Sequence, residues 1–274
     1  MARRVTLVAG GGDLVPHVAR AIRERGDTLQ VVDIVGRGGA IDADQFIRES
    51  LSDATALLAG IKSFGPSHLV LAGGVHITDT DRRGLAQAFG LAGRLAGGLG
   101  DIGLAGMILL YGKAQGWKLV GAHEVAPDLL APQGHIAGPP IDPDLSAVAE
   151  KAMKAAKSIG ALDLGQSIVL SGNRPVAAED AGGTDGLLRR VAELRVAGLV
   201  GEKHGPLVLA KARKPKQPSF VDLPAIGVDT ITRAAEAGIS VVAVEAGASL
   251  LLDRPNVERE AAARNVSVIG LRHG

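Results

Sequence analysis

The chain has 274 residues, 46% hydrophobic and 22% charged, so it is long enough for two domains, carries ample apolar material for a core and has no composition favouring disorder. Its 30 basic side chains against 29 acidic ones leave a formal net charge of +1 without a long basic run, which argues against nucleic acid as a partner. The absence of cysteine excludes a disulfide scaffold and thiolate chemistry, and fits a reducing compartment.

Aromatic residues make up only 2%, with one Trp and one Tyr, so the core must be built from Ala, Val, Leu and Ile. Rows of aromatic platforms for stacking bases are ruled out on the same count. RVTLVAG reads as a strand from Arg4, with no charged region, apolar run or small-residue cleavage site before it. Secretion is therefore not expected and a cytoplasmic location is. The first half alternates strand-like runs with helical patterns: Val5–Ala9, Leu14–Arg25, Leu29–Val35, Ala54–Ser63 and His68–Ala72. That is the rhythm of a parallel sheet whose strands are covered on both faces, hence a Rossmann-like domain. A helix from Asp101 to Gly116 and a strand from Trp117 to Gly121 extend it. The most apolar region, Leu85 to Leu110, is interrupted by Arg94 and Asp101, so it does not read as a membrane span, and its glycines fall in the stretch from Leu85 to Met107. Its small residues could instead leave room for acyl chains, or simply pack against neighbouring helices.

Between Pro127 and Pro143, five prolines are expected to leave a linker over 131–142, after a first domain of residues 1–130 and before a second of residues 143–274. Asp142 caps an amphipathic helix with Pro143 at its first position. Strands follow at Ser167–Leu170 and Pro175–Ala178, a helix at Thr184–Leu194 and a strand at Pro206–Ala210. A helix at Val228–Ala237, strands at Ser240–Val244 and Leu250–Leu252, a helix near Asn256–Arg264 and a strand at Val266–Gly270 complete the second domain. The expected fold is thus α/β with two domains, an N-terminal Rossmann-like parallel sheet and a C-terminal α/β domain.

Gly10, Gly11 and Gly12 stand between the first strand and first helix, where backbone N–H groups can meet a phosphate. A dinucleotide fingerprint would need glycine where Val15 stands, which disfavours a nicotinamide-dependent dehydrogenase, while phosphate binding and a purely structural turn both stay open. In KARKPKQPSFVDLP, Lys211, Arg213, Lys214 and Lys216 precede Asp222 on a segment stiffened by prolines. Hydrolysis at a pyrophosphate needs that set, cations on phosphate oxygens and a carboxylate that orients water or holds a metal; a solvated basic loop is the alternative. Thr184 and Asp185 fit either helix capping or a ligand, and His123 after a strand fits either a structural or a direct role.

Taken together, AGGG, GAHE at Gly121–Glu124, LDLGQ at Leu162–Gln166, GTD at Gly183–Asp185, KARKPKQ at Lys211–Gln217, VDLPAIG at Val221–Gly227 and VEAG at Val244–Gly247 resemble, in order and over nearly the whole chain, the bacterial UDP-2,3-diacylglucosamine pyrophosphatases of lipid A biosynthesis. The resemblance implies metal-dependent hydrolysis of the pyrophosphate of a UDP-linked diacylated sugar lipid, giving UMP and the 1-phosphate. It also implies two α/β domains with the substrate between them, and a homodimer. Asp222 matches the family's essential aspartate, with Lys211 and Lys214 beside it in catalysis. Asp222 and Asp185 would hold Mg²⁺ or Mn²⁺. Gly10, Gly11, Gly12, Asp101, His123, Gln166, Thr184 and Gln217 would touch the substrate, and a peripheral contact with the inner membrane would follow from the lipid. The sequence departs from the family's pattern at Gly182, where the family usually has Glu, at Pro218 and Ile102, where it has acids, and at Gly74 and Ile77, where it has Asn and Arg, all near the expected substrate or metal shell. A divergent paralogue binding another nucleotide conjugate, with or without hydrolysis, is the alternative.

Overall fold

A computed structural model describes residues 2–36, 41–75, 77–89, 101–201, 205–215 and 223–272, without the side chains of 101–107. The chain forms two compact units that divide between Asp128 and Leu129.

In the first unit, strands β1 (Arg4–Ala9), β2 (Thr28–Asp33), β3 (Gln45–Arg48), β4 (His68–Ala72) and β5 (Lys118–Val120) form one sheet in the order β3-β2-β1-β4-β5. Every pairing is parallel. The continuous apolar runs are explained by helices that cover the sheet. Helix α1 (Leu14–Glu24) buries Leu14, Val15, Val18, Ala19 and Ile22. Pro16 falls in its first turn, where no N–H is needed. Helix α2 (Ala54–Phe64) is capped by Asp53, whose carboxylate accepts from the Ala56 amide at 3.1 Å, and is closed by Gly65 at φ +66°. Leu57, Leu58 and Ile61 pack with Val32, Leu69 and Trp117, each large side chain contributing about 1.5–3 kcal/mol on burial. Polar groups buried in the sheet are satisfied: Thr6 donates to Gln30 at 2.7 Å, and Arg48 to Asp33 at 3.1 Å. Helices α3 (Asp79–Ala88), α4 (Asp101–Ala114) and the single turn α5 (Ala122–Val125) complete the unit. The stretch Leu85–Met107 lies mostly outside the described residues. Among the described residues no helix is long and apolar enough to cross a membrane.

The second unit contains a six-stranded mixed sheet in the order β6-β13-β11-β9-β7-β8. These strands are β6 (Gly134–Ala137), β7 (Ser167–Ser171), β8 (Arg174–Ala178), β9 (Leu207–Lys211), β11 (Ile239–Glu245) and β13 (Ser267–Leu271). The central β9, β11 and β13 are mutually parallel, whereas β6, β7 and β8 are antiparallel additions. A short parallel pair, β10 (Ala225–Ile226) with β12 (Leu250–Leu251), stands apart from the main sheet. Helix α6 (Pro143–Ala161) covers one face, with Ala149, Ala152, Met153 and Ala156 against Ile168, Val208 and Val241. Asp142 caps it, accepting from the Leu145 amide at 2.7 Å. Helices α7 (Gly183–Val196), α8 (Val228–Glu236) and α9 (Arg254–Ala263) cover the other face.

The α/β class with a parallel N-terminal sheet is as the sequence predicts. The segment expected as a linker, 131–142, needs correction: it contains β6, the edge strand paired with β13. Its prolines stand at 132, 139 and 140, outside Gly134–Ala137, so no ladder donor is lost.

Candidate active site

Register brings one row of residues to the carboxyl edge of the second unit's sheet. Ser167 pairs with Lys211, Lys211 with Val244, Val244 with Gly270, and Gly270 with Gly134. The Glu179 amide extends the row by donating to the Ser167 carbonyl at 2.9 Å. In sheets built on parallel strands, ligands gather at this edge because the connecting loops open there.

Lys211 ends β9 with only 8% of its surface exposed, and its ammonium donates to the Ala225 carbonyl at 3.1 Å. Ala225 follows Asp222 closely in sequence, so Lys211 ties together the two ends of the segment that carries Asp222. Beyond Lys211, the Ala212 amide donates to the Gln166 carbonyl at 2.9 Å. The Arg213 amide donates to Glu245 Oε2 at 3.0 Å, and Lys214 Nζ to Asp163 Oδ1 at 2.7 Å. Asp163 sits at φ +59°, a left-handed turn that Asp tolerates better than most residues. At the returning end, the Leu250 amide donates to the Pro224 carbonyl at 2.8 Å. Asp222 and Gln217 themselves lie outside the described residues.

Thr184, in the first turn of α7, donates to Glu179 Oε2 at 3.0 Å and lies 3.4 Å from the Ser167 hydroxyl. Asp185 is paired with Arg233 of α8. Among the described residues no group of three or more His, Asp or Glu could hold a metal ion. Of the two expected ligands, Asp185 meets Arg233 and Asp222 lies outside the described residues.

The other expected residues belong to the first unit. Gly10 and Gly11 follow β1, and their amides donate to the carbonyls of Ala72 at 2.8 Å and Gly74 at 2.7 Å. Gly74 returns a bond to the Gly11 carbonyl at 3.0 Å, making an antiparallel bridge between the loops after β1 and β4. These neighbouring strands meet at the point where the strand order reverses. A Cβ on Gly10 would lie 2.6 Å from the Gly73 carbonyl oxygen, so glycine is needed there for close approach. His123 follows β5; its Nδ1 is buried without a hydrogen-bond partner, while Glu124 turns back to accept from the Gly121 amide at 2.8 Å. Asp101 opens α4.

Lys211, Lys214, Gln166, Thr184 and Asp185 thus gather at one end of one unit, whereas Gly10, Gly11, Gly12, Asp101 and His123 belong to the other. Sequence reasoning missed Glu245, Lys157, Asp163 and Glu179. Glu245 was within reach as the acid of VEAG, but the spacing says nothing of its partners.

Comparison with known proteins bears on the whole chain. A family model described as the LpxI N-terminal domain matches residues 4–129, and one described as the LpxI C-terminal domain matches residues 132–269. A Caulobacter vibrioides protein named UDP-2,3-diacylglucosamine pyrophosphatase LpxI is 33% identical over 277 residues, covering 98% of each chain. Among solved structures, the Bordetella bronchiseptica enzyme WbmG in complex with NAD and UDP matches at 20% identity and TM-score 0.27, over 41% of this chain and 35% of that one. The ADP complex of purK, an N5-carboxyaminoimidazole ribonucleotide synthetase, matches at 14% identity and TM-score 0.26, over 68% of this chain and 44% of that one. The chain thus spans less than half the length of either structure, and at these scores they bear on neither the fold nor a ligand.

Proposed function

Because the chain belongs to the LpxI family, we propose that it hydrolyses the pyrophosphate of UDP-2,3-diacylglucosamine, giving UMP and 2,3-diacylglucosamine 1-phosphate in lipid A biosynthesis. The observation that supports this reading is that Lys211, at the carboxyl edge of the second sheet and near Lys214, Gln166 and Thr184, bonds the Ala225 carbonyl, while the Pro224 carbonyl accepts from Leu250. In the proposed reaction water attacks one phosphorus, the bridging P–O bond breaks, and the negative charge that develops falls on phosphate oxygens. Cationic and N–H donors held in advance stabilise that charge without reorganising during the reaction. Asp222 supplies the carboxylate that orients the water. Lys211, bonded to Ala225, acts by tying the end of β9 to the start of β10.

Mg²⁺ or Mn²⁺ enters this proposal as a requirement to be tested, and no step is routed through it. Homodimer formation and contact with the inner membrane surface belong to the same reading, since a diacylated substrate resides in lipid. A second reading, binding without turnover, is favoured by the engagement of Lys211, Lys214 and Asp185 with protein partners.

The test is incubation of the purified full chain with the radiolabelled diacylated UDP-sugar, with Mg²⁺, with Mn²⁺ and with chelator, following UMP release. Hydrolysis that falls on the order of a hundredfold or more in Asp222→Asn, with the fold intact by circular dichroism, supports the reading. UMP binding with no release under any condition would support the second one.

A further inference from the structure

Three consecutive residues leaving β9 are anchored to different parts of the second unit, and one of the three anchors is a partly buried side chain that a helix also holds. Ala212 is held by a main-chain carbonyl, that of Gln166, and Lys214 by the half-exposed carboxylate of Asp163. Arg213 is held through its amide by Glu245, whose side chain is only 13% exposed. The other carboxylate oxygen of Glu245 accepts from Lys157 Nζ of α6 at 2.7 Å.

Glu245 ends β11, and its neighbour Val244 is in register with Lys211. Since side chains alternate along a strand, Glu245 points to the face of the sheet opposite Lys211, toward α6. A carboxylate partly removed from water is costly to keep unless its oxygens are satisfied. Here one oxygen is fixed by the helix and the other fixes the main chain at Arg213. Helix α6 thereby sets the direction in which the loop leaves the sheet, from the side of β9 that Lys211 does not reach.

We infer that Glu245 is a positioning residue for the start of the loop after β9, and so for Lys214, acting through the Arg213 amide with Lys157 as its brace. The inference rests on the proposed hydrolysis for its kinetic part only.

The experiment compares wild type, Glu245→Ala and Glu245→Gln in the full chain. Hydrogen exchange over 212–215 is measured without substrate, and kcat and KM with the diacylated UDP-sugar. Losing a hydrogen bond to a charged acceptor should speed exchange of the Arg213 amide roughly tenfold or more in the alanine variant. Its kcat should fall roughly tenfold or more, while KM moves less than about threefold, because Lys214 is misplaced and the other binding groups remain. The glutamine carbonyl still accepts from Arg213, so Glu245→Gln should restore slow exchange and bring kcat to within about fivefold of wild type. Lost activity with unchanged exchange would overturn the inference, because Glu245 would then act on the substrate directly. A glutamine variant as impaired as alanine, or an alanine variant with normal kcat, would overturn it too. If the wild type hydrolyses nothing, the proposed function fails, and the exchange measurement still decides whether Glu245 holds the loop.

Discussion

Gly10→Ala should destabilise the first unit far more than Gly12→Ala, although both change the same glycine run. A methyl on Gly10 would stand 2.6 Å from the Gly73 carbonyl oxygen and 2.7 Å from that of Gly74, both rigid main-chain atoms. The loops after β1 and β4 would have to part, straining the two Gly11–Gly74 hydrogen bonds at 2.7 and 3.0 Å. Overpacking costs about 1–3 kcal/mol and each weakened bond up to about 1 kcal/mol, so a loss of about 2–4 kcal/mol is expected. At roughly 3–5 °C per kcal/mol for a unit of this size, its melting transition should fall by about 10 °C. At Gly12 nothing lies within 4 Å of an added Cβ, and the cost is that of alanine at φ +88°, about 1–2 kcal/mol. Circular dichroism melts of the full chain, with UMP titration at a temperature where both variants are folded, separate the effects. Equal and small shifts for the two variants, with a selective loss of UMP binding in Gly10→Ala, would refute a packing role and leave a phosphate contact as the reason for glycine.

Lys211→Met should cost about 1.5–3 kcal/mol by urea unfolding, because it removes a charge-assisted bond to the Ala225 carbonyl, and should lower kcat more than it raises KM. Unchanged stability with abolished turnover would mean that the ammonium serves the substrate instead. The first unit should lose stability below about pH 6.5. Burial holds the imidazole of His68 below its ordinary value near 6.5, aided by the positive charges of Arg3 and Lys118 and opposed by Asp27. The unfolded chain therefore takes up that proton first, so the contribution is complete above about pH 6.5 and is lost as pH falls toward the depressed value. Urea midpoints at pH 7.5, 6.0 and 5.0 should fall less steeply in His68→Gln than in wild type, and parallel curves would exclude His68 as the cause. Asp27 acts lower on the scale. Burial raises its pKa, but bonds from Arg3 and the charges of Arg3 and Arg25 outweigh that and leave it lowered, so its contribution is lost only as pH falls through that depressed value.

Elements covered on both faces were the legible ones. His68–Ala72 reads as a strand with its observed bounds, and Ala54–Ser63 as a helix one residue short, because burial leaves continuous or periodic apolar residues. Those overlooked lie where burial is partial. β3 is four residues long at the sheet edge, and its Phe46 is 41% exposed, so alternation has too few turns to register. α3 is mostly polar and shows itself only by its capping box, Thr78 and Asp81 bonding each other's amides at 3.2 and 2.9 Å. β6 is hidden by flanking prolines that never enter it.

The site was less legible because its logic is set by register, which no linear spacing encodes. Lys211 and Lys214 look alike as members of a basic run. The sheet separates them, though: one is buried and bonded to Ala225, the other is more exposed and paired with Asp163. Glu179 and Gly182 show the same limit from the opposite side. Gly182 reads as the loss of an acid before Gly183–Asp185, yet Glu179 reaches Thr184 at 3.0 Å, so a carboxylate still meets the start of α7. A departure in the aligned position is thus offset in space by a residue three positions earlier. Gly74 can be read in the same way. A Cβ there meets nothing within 4 Å, so the crossing with Gly11 uses its main chain alone and would tolerate the asparagine of the family pattern. Loss of that side chain leaves the fold at the loop crossing intact, and its effect is confined to whatever an asparagine amide would have touched beyond the backbone.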